Sequence, residues 1–406
     1  MAVPWRALLA AVSLLLTGLL AGATPRVPAA PPVVIPARLA DTTYVDGDRL
    51  FVAGTGDLSD GSALSKREIR GYRLPDARPA GRTTVAAAGA VVDVRQDGDT
   101  LVVAYQLDSS GIQAVVAQTV GADVSRWRRP GRLAAVSAAD GVALMSDDGG
   151  EFAVDLATGA VRWTVPRPRD GFIAEAGSAG AYPEWLVLVT DSGRLETRDA
   201  RTGRRLAAVT VPGLAGRATG LNWPVGDLFL IDTGGPGLDG YRLPGLEHAW
   251  RTTADLSQSW MQSGCGRLIC TFYRQRGMTV LDPADGRLLW RSDRWMYAEP
   301  SGRYLLATSG DQDSDVPPLW VLDPATGRVL GDFGRWQGLG PAGHGLLYGK
   351  RDATGEHQVW YALLDPATRG VRVLGSADRV SGGCETAAGT LICRLVDASV
   401  AVWRLG

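Results

Sequence analysis

Aspartate is the residue type with the clearest capacity for chemistry in this sequence, because five aspartates open one recurring phrase. The phrase is Asp-Pro-Ala-Thr-Gly or a close variant, and it begins at Asp155, Asp199, Asp282, Asp323 and Asp365. An Asp that opens a turn accepts hydrogen bonds from its own backbone two residues on, and Gly supplies a positive φ. The phrase therefore predicts a turn, with a ring of metal-binding aspartates as the alternative.

A second acidic motif alternates carboxylates at Asp311, Asp313 and Asp315, as calcium-binding loops do. An EF-hand loop would have Gly at its sixth position and Glu at its twelfth, where this chain has Val316 and Leu322. We therefore expect a solvated acidic loop, with a weak calcium site as the alternative.

The four cysteines form two close pairs, Cys265 with Cys270 and Cys384 with Cys393. Both pairs end in Leu-Ile-Cys and flank a predicted turn, so each pair is expected to close its own hairpin as a disulfide in an oxidising compartment. Free thiols and zinc are the alternatives. Zinc sites favour tighter Cys-x-x-Cys spacing and nearby histidines, and neither pair has a nearby histidine.

Catalytic residues are not evident. The three histidines, His248, His344 and His357, each lie in a Gly-, Pro- or turn-rich setting, and there is no Gly-x-Ser-x-Gly elbow. No spacing in the sequence indicates a catalytic nucleophile together with its general base. We therefore predict no catalytic, cofactor-binding or metal-ligating residue, no bound cofactor, and a protein that is not an enzyme.

The elements that carry these residues repeat about every 40 positions. The phrase recurs after 44 residues from Asp155 to Asp199, after 41 from Asp282 to Asp323, and after 42 from Asp323 to Asp365. The gap of 83 residues before Asp282 holds two intervals, with Leu243 near its middle. Short strands at this period are typical of β-propeller blades.

Hairpin counting predicts how such a propeller closes. Nine first hairpins and eight second hairpins can be recognised, and Val400 to Trp403 adds one more strand. Val33 to Ile35 could supply the missing outer strand, so that both ends of the propeller share one blade. The prediction is an all-β fold with one propeller of four-stranded antiparallel blades, eight or nine in number, over residues 39–406.

Tryptophan is unusually frequent, with 13 residues against 10 Tyr and 6 Phe. Five tryptophans are predicted to lie in strands and in the blade core: Trp127, Trp163, Trp250, Trp290 and Trp360. Five others lie nearer turns or strand starts, and some of these could line a propeller face: Trp185, Trp223, Trp260, Trp295 and Trp336.

The N-terminal region differs from the rest of the chain. Residues 7–23 carry no charge, follow Arg6, and end in Ala-Gly-Ala, which fits either a cleaved signal peptide or an uncleaved membrane anchor within residues 1–23. Residues 24–38 read as a Pro-rich linker. The propeller is therefore expected outside the cytoplasm, either secreted or tethered through residues 7–23. The net charge of −1 without a basic block argues against nucleic-acid partners.

The repeat resembles that of the pyrroloquinoline-quinone-like propellers. Val154 to Trp163 and Leu281 to Trp290 match its strand-Asp-x-x-Thr-Gly-x-x-x-Trp unit well. The resemblance implies either a quinoprotein dehydrogenase or a non-catalytic, BamB-like member. The dehydrogenases hold the quinone with calcium and a catalytic Asp, often beside a disulfide between adjacent cysteines. This chain has no adjacent cysteines, and no Asp can be matched to the catalytic one.

The sequence therefore leads to two hypotheses for the function. The first is an exported, non-catalytic scaffold that binds an unidentified protein or cell-envelope ligand. The alternative is a quinone-dependent oxidoreductase of the same propeller superfamily. The missing catalytic residues favour the scaffold.

Overall fold

The described part of the chain consists of strands, turns and irregular segments. The computed structural model describes residues 31–55, 65–107, 111–177, 182–217, 222–273, 277–309, 316–353 and 357–405. Strands account for every regular element within these ranges. The same ranges hold no helix long and apolar enough to cross a membrane. The predicted calcium loop at Asp311, Asp313 and Asp315 lies outside the described residues, as does the predicted signal or anchor segment.

The strands form nine four-stranded antiparallel sheets, which are the blades. The first strand of the chain, β1 (Val33–Ile35), belongs to the last blade. Blade 1 contains β2 (Thr42–Asp46), β3 (Arg49–Ala53), β4 (Ser65–Arg73) and β5 (Arg78–Ala87); blade 2 contains β6 (Val91–Asp97), β7 (Thr100–Gln106), β8 (Gln113–Thr119) and β9 (Ser125–Pro130); blade 3 contains β10 (Arg132–Ser137), β11 (Val142–Asp147), β12 (Gly150–Asp155) and β13 (Val161–Pro166).

The middle blades follow the same order. Blade 4 contains β14 (Gly171–Ala176), β15 (Trp185–Thr190), β16 (Arg194–Asp199) and β17 (Arg205–Thr210); blade 5 contains β18 (Trp223–Val225), β19 (Leu228–Ile231), β20 (Asp239–Arg242) and β21 (Glu247–Arg251); blade 6 contains β22 (Ser259–Cys265), β23 (Leu268–Tyr273), β24 (Met278–Leu281) and β25 (Leu288–Ser292).

The last blades complete the ring. Blade 7 contains β26 (Trp295–Ser301), β27 (Tyr304–Ser309), β28 (Leu319–Leu322) and β29 (Val329–Asp332); blade 8 contains β30 (Gln337–Gly343), β31 (Leu346–Asp352), β32 (Gln358–Asp365) and β33 (Gly370–Asp378); blade 9 contains β34 (Val380–Ala387), β35 (Thr390–Leu395) and β36 (Val400–Arg404), with β1 outermost.

The first strands of neighbouring blades lie at the centre of the propeller, where β14 contacts β18, β18 contacts β22, and β22 contacts β26. Every first strand runs in the same sense, which gives the propeller two distinct faces. The entry face carries the starts of the first strands and the links between blades. The turn face carries the turns that join first to second strands and third to fourth strands.

The ring closes in the last blade as the hairpin count predicts. β1 pairs with β36, with Val33 opposite Val402 and Ile35 opposite Val400. Arg394 of β35 donates to the backbone carbonyls of Arg38 and Asp41, which lead into blade 1. Sequence alone left eight or nine blades open, and the structure has nine.

The core is divided among the nine junctions between consecutive blades. Nine hydrophobic clusters are found, and each one joins residues of two neighbouring blades. The cluster between blades 9 and 1, for example, contains Ile35, Val402, Leu50 and Leu74. Because each blade packs on both sides, its middle strands are apolar on both faces, as in Leu144 and Met145 of β11.

Candidate binding face

The recurring phrase folds into a turn that uses the oxygens of its own aspartate. In blade 3, Asp155 Oδ1 accepts hydrogen bonds from the backbone N–H groups of Ala157 and Thr158 and from the Thr158 hydroxyl, each at 3.0 Å. The Gly159 N–H donates to the Asp155 carbonyl at 2.8 Å, with φ at +69°. Hydrogen bonds to Arg162 and Thr158 lower the pKa of Asp155 to about 2. The predicted turn chemistry is what the structure shows.

The same turns also receive tryptophans from the preceding blade. Trp250 of blade 5 donates its indole N–H to the Pro283 carbonyl at 2.7 Å, and its ring covers Gly286 of blade 6. A Cβ on Gly286 would lie 2.4 Å from this ring. Three other pairs share this contact of an indole with the turn glycine of the next blade: Trp127 with Gly159, Trp163 with Gly203, and Trp290 with Gly327.

In two blades a large residue stands in place of the turn glycine, and the preceding blade then has a small residue in place of the tryptophan. The turn of blade 8 has Arg369 at the glycine position with φ at +58°, and it faces Gly331 of blade 7, where a Cβ would lie 2.7 Å from Arg369 Cγ. The turn of blade 5 has Leu246 with φ at +63°, which packs in one cluster with Ala207 of blade 4. On the turn face, the facing residues of neighbouring blades therefore have complementary sizes and pack against each other.

The two cysteine pairs lie within hairpins of blades 6 and 9. The Sγ atoms of Cys265 and Cys270 are 1.97 Å apart, and those of Cys384 and Cys393 are 2.11 Å apart. Cys384 and Cys393 face each other directly across β34 and β35. The two cysteines of each pair, which are close in sequence and lie in one blade, are therefore at disulfide distance from each other.

One histidine departs from its expected loop setting. His248 lies in β21, and its Nε2 is 2.9 Å from Oδ1 of the buried Asp239. Asp239 also accepts from the Thr233 hydroxyl at 2.6 Å and from Arg251 at 3.3 Å. His344 does lie in a turn, with φ at +52°. The residues around His248 serve to satisfy a buried carboxylate.

The entry face of blades 5 to 7 exposes an arc of large apolar side chains. Trp223, Trp260, Met296 and Tyr297 are 55%, 49%, 52% and 47% exposed, and all four lie near the starts of first strands. β18 contacts β22, and β22 contacts β26, so these side chains stand on three consecutive inner strands. We call this set the aromatic arc.

Two members of the aromatic arc are presented by β-bulges. The register skips Trp260 between Ser259 and Met261, and it skips Met296 between Trp295 and Tyr297. A bulge leaves one residue unpaired and redirects its side chain. Tyr297 stacks on Phe272 of blade 6 at 5.7 Å between ring centroids, which fixes one arc residue against the neighbouring blade.

The sequence-based division of the tryptophans holds in part. Trp127, Trp250 and Trp290 are buried as predicted, while Trp163 and Trp360 are half-buried. Among the five candidates for a propeller face, only Trp223 and Trp260 are exposed; Trp295 and Trp336 are buried and Trp185 is half-buried. Met296 and Tyr297 were not singled out, since only their exposure and the bulge distinguish them.

An arginine borders the aromatic arc. The guanidinium carbon of Arg294 lies 4.6 Å from the centroid of Trp295 and 4.1 Å from that of Trp320. Stacking of this kind restrains the charge, and Arg294 is two residues before Met296 in the sequence. Tryptophan and arginine are the side chains most enriched among the energetically dominant residues of protein interfaces.

A second feature of the entry face is a cleft of about 540 Å³ between blades 2 and 3. Arg132 and Arg167 both line it, together with Ser146 and Asp147. Beside Ser146 lies Glu151, which is 5% exposed and whose Oε2 has no hydrogen-bond partner. Burial, and then the charge of Glu175, raises the pKa of Glu151 to about 7. Nothing in the alternation of β12 distinguishes this glutamate in sequence.

Comparison with known proteins finds similarity to solved structures only. No protein-family model matches it, and no curated protein matches it. Among solved structures, it is similar to BamB from Moraxella catarrhalis, with 14% identity and a TM-score of 0.46 over 92% of this chain and 98% of that chain. It is also similar to the computationally designed Ika8 protein, with 10% identity and a TM-score of 0.45 over 93% and 98%. Values this low carry no information about partners or chemistry.

Proposed function

We propose that this protein is an exported, non-catalytic β-propeller of the pyrroloquinoline-quinone-like repeat type that binds a protein partner through the aromatic arc. The observation that carries the proposal is the exposure of Trp223, Trp260, Met296 and Tyr297 on one face, near the starts of three consecutive inner strands. Contiguous apolar patches on a soluble domain mark interaction sites.

The composition and rigidity of the arc support a protein partner. Two tryptophans, a tyrosine and a methionine offer a large contact area, and Arg294 is held at the edge by stacking. The arc stands on strands and bulges rather than on long connections. A rigid surface loses little conformational entropy when a partner binds.

The path of the chain supports a consistent orientation for a tethered protein. Val33 lies toward the turn-face end of β1, because β36 runs from the entry face to the turn face and β1 is antiparallel to it. A tether in residues 7–23 would therefore join the propeller at its turn face. The aromatic arc would then lie on the opposite face, open to a partner outside the cytoplasm.

The quinone-dependent oxidoreductase is the less favoured function. It would require carboxylates that gather around a calcium ion at the central wall. The inner-wall carboxyls Glu299 and Glu385, whose pKa values are raised by burial, lie in blades 7 and 9. Among the residues that the structure describes, no group of three or more His, Cys, Asp or Glu side chains is arranged to hold a metal.

Site-specific photocrosslinking in the cells that make the protein tests the proposal. A photoreactive amino acid at Trp260 is expected to yield one predominant crosslinked protein, and the product should disappear when Trp223 and Met296 are both changed to Ala. The matched control is the same photoreactive residue at Val124, which is highly exposed on the turn face. Equal crosslinking from both positions, or crosslinking from Val124 alone, would contradict the proposal.

A further inference from the structure

The two cysteine pairs differ in their exposure to solvent. Cys265 and Cys270 are 2% and 0% exposed. Cys265 borders a cleft on the turn face, but both cysteines belong to the core between blades 6 and 7. Cys393 is 1% exposed, whereas Cys384 is partly exposed at the border of the core between blades 8 and 9. Of the four cysteines, Cys384 is therefore the one that a reagent in solution can approach.

The strand β34 is irregular on the entry side of Cys384. Its register with β35 skips Ser381 and then Gly383, so two bulges lie between Val380 and Cys384. Ser381, Gly382 and Gly383 are all exposed, and nothing lies within 4 Å of a Cβ built on either glycine. A bulge leaves one residue outside the ladder. This part of β34 is therefore open to solvent and makes few contacts with its partner strand.

The pair of Cys384 and Cys393 stands where the irregular part of β34 meets the regular part. From Cys384 to Ala387 the register with β35 has no skip, and on the entry side only Val380 and Gly382 have a partner on β35. Blade 9 is also the blade in which the two ends of the propeller pair. A disulfide at this position fastens the inner strand of the closing blade next to its bulged part.

We propose that Cys384–Cys393 is a redox-sensitive disulfide that exchanges with external thiols at Cys384, whereas Cys265–Cys270 is a permanent structural link. An external thiolate attacks Sγ of Cys384 and forms a mixed disulfide. The bond to Cys393 breaks, and the Cys393 sulfur leaves as a thiolate that takes up a proton. A second external thiolate attacks the external sulfur of the mixed disulfide and releases Cys384, so that two external thiols are oxidised to one disulfide and two protein cysteines are reduced.

Opening of this bond releases the bulged part of β34 from its covalent link to β35. The redox state of the surroundings then sets how tightly the inner strand of blade 9 is held. Exposed disulfides are generally the labile and regulatory ones, and buried ones resist reduction. The inference is independent of the aromatic arc, which lies on blades 5 to 7.

Thiol exchange on the full-length protein tests the inference, with the blade 6 pair as the control inside the same molecule. The protein is isolated with its free thiols blocked, incubated with reduced glutathione, quenched with acid at several times and alkylated. Cys384–Cys393 is expected to open about tenfold or more faster than Cys265–Cys270, because a buried disulfide reacts only after local opening of the fold.

The site of attack is read from the same samples. Cleavage after Glu385 and after Arg267 places the two cysteines of each pair in separate peptides, so that mass spectrometry assigns each sulfur. At early times glutathione is expected on Cys384, with Cys393 as a free thiol. Equal rates for the two pairs, faster opening of the blade 6 pair, glutathione on Cys393 instead, or four free thiols in the protein as isolated would each overturn the inference.

Hydrogen exchange measures the structural consequence. When the blade 9 pair is reduced, the amides of residues 380–384 should exchange faster, while those of β23 should not change. Cys384→Ser/Cys393→Ser should show the faster exchange without reductant and no further response to it. Cys265→Ser/Cys270→Ser is the matched control and should keep the wild-type response. Unchanged exchange at residues 380–384 in the reduced wild type would overturn the proposed release of β34, whether or not the variants fold.

Discussion

The two faces of this propeller are built from the same strands but use their residues differently. On the turn face, aspartate oxygens bond to their own turns, and tryptophans cover the glycines of the next blade. On the entry face, bulges present Trp260 and Met296 to solvent, and Glu151 keeps an unpartnered oxygen. The residues of the recurring phrase are used in packing, and so are its departures at Leu246 and Arg369. The side chains that the bulges expose on the entry face are not.

The largest effect is expected from filling a turn glycine on the turn face. Gly286→Ala would force a left-handed φ on an alanine and drive its Cβ into the Trp250 ring, 2.4 Å away. We expect a loss of about 4 kcal/mol in the free energy of unfolding, from backbone strain and overpacking together. Denaturant unfolding measures this loss.

Gly98→Ala is the matched control for this change. Gly98 also has a positive φ, at +55°, but nothing lies within 4 Å of its Cβ position. It should therefore cost about 1 kcal/mol, from backbone strain alone. Equal losses for the two variants would show that the tryptophan contact does not constrain the turn face.

The next effect belongs to Glu151 on the entry face and depends on pH. A carboxyl whose pKa is higher in the folded state stabilises the fold only while it is protonated. The stabilisation by protonated Glu151 is fully present at pH values below the ordinary pKa of 4.5, and it is lost as the pH rises through about 7. The rise in the pKa of Glu151 on folding corresponds to about 3 kcal/mol in the free energy of unfolding. Stability should therefore fall by this order between pH 4.5 and pH 8 because of Glu151.

Unfolding of Glu151→Gln across the same pH range checks the assignment. The variant should lack this component of the pH dependence and should be more stable than the wild type at pH 8. Glu247→Gln, at an exposed position of β21, should retain it. A wild-type slope that persists in Glu151→Gln would assign the titration to another group.

The cysteine pairs offer a smaller effect on the turn-face hairpins. If Cys265–Cys270 and Cys384–Cys393 are disulfides in the exported protein, each should contribute about 2 kcal/mol or less, because both loops are short. Unfolding with and without reductant measures the sum. Peptide mapping without reduction checks the pairing, and a peptide that joins Cys265 to Cys393, or alkylation of all four thiols, would contradict it.

A still smaller effect is expected from one aspartate of the phrase. Asp155→Ala removes the acceptor of three hydrogen bonds and the partner of Arg162 at 2.7 Å. We expect a loss of about 1.5 kcal/mol, comparable to the loss of a helix cap. Thermal unfolding measures it, with the exposed Asp148→Ala as a control that should change stability by less than about 0.5 kcal/mol. A larger loss for Asp148→Ala would refute the local role of the phrase.

The turn face was predictable from sequence because its requirements are local. A positive φ favours Gly at position five of the phrase, and an Asp at position one satisfies backbone N–H groups within three residues. These constraints leave closely similar letters in the turns of blades 3, 4, 6 and 7. The spacing then gave the blade period, and Val33 to Ile35 could be assigned to the outer strand because an incomplete last unit required it.

Three other features depend on contacts with a partner strand or a neighbouring blade, which the sequence does not reveal. Glu151 is buried because blade 4 covers the same side of blade 3. His248 was expected in a solvated loop, but it lies in a strand and faces Asp239, nine residues earlier. The exposure of Met296 follows from a bulge, whose position is set by the pairing of β26 with β27. Each case requires the partner strand or blade to be known.

The smallest expected effect on stability distinguishes the two faces most directly. Trp260→Ala on the aromatic arc removes a side chain that is about half exposed and that sits on a bulge, outside the ladder. Little apolar area returns to water, so the free energy of unfolding should fall by about 1 kcal/mol or less. Trp290→Ala on the turn face removes a buried indole and its hydrogen bond to the Pro324 carbonyl, and it should cost about 3 kcal/mol. Crosslinking to the partner should show the reverse order, with loss in Trp260→Ala and retention in any Trp290→Ala protein that remains folded. If Trp260→Ala destabilises the fold as strongly as Trp290→Ala does, the arc is part of the core, and the exposed tryptophans need no partner to explain them.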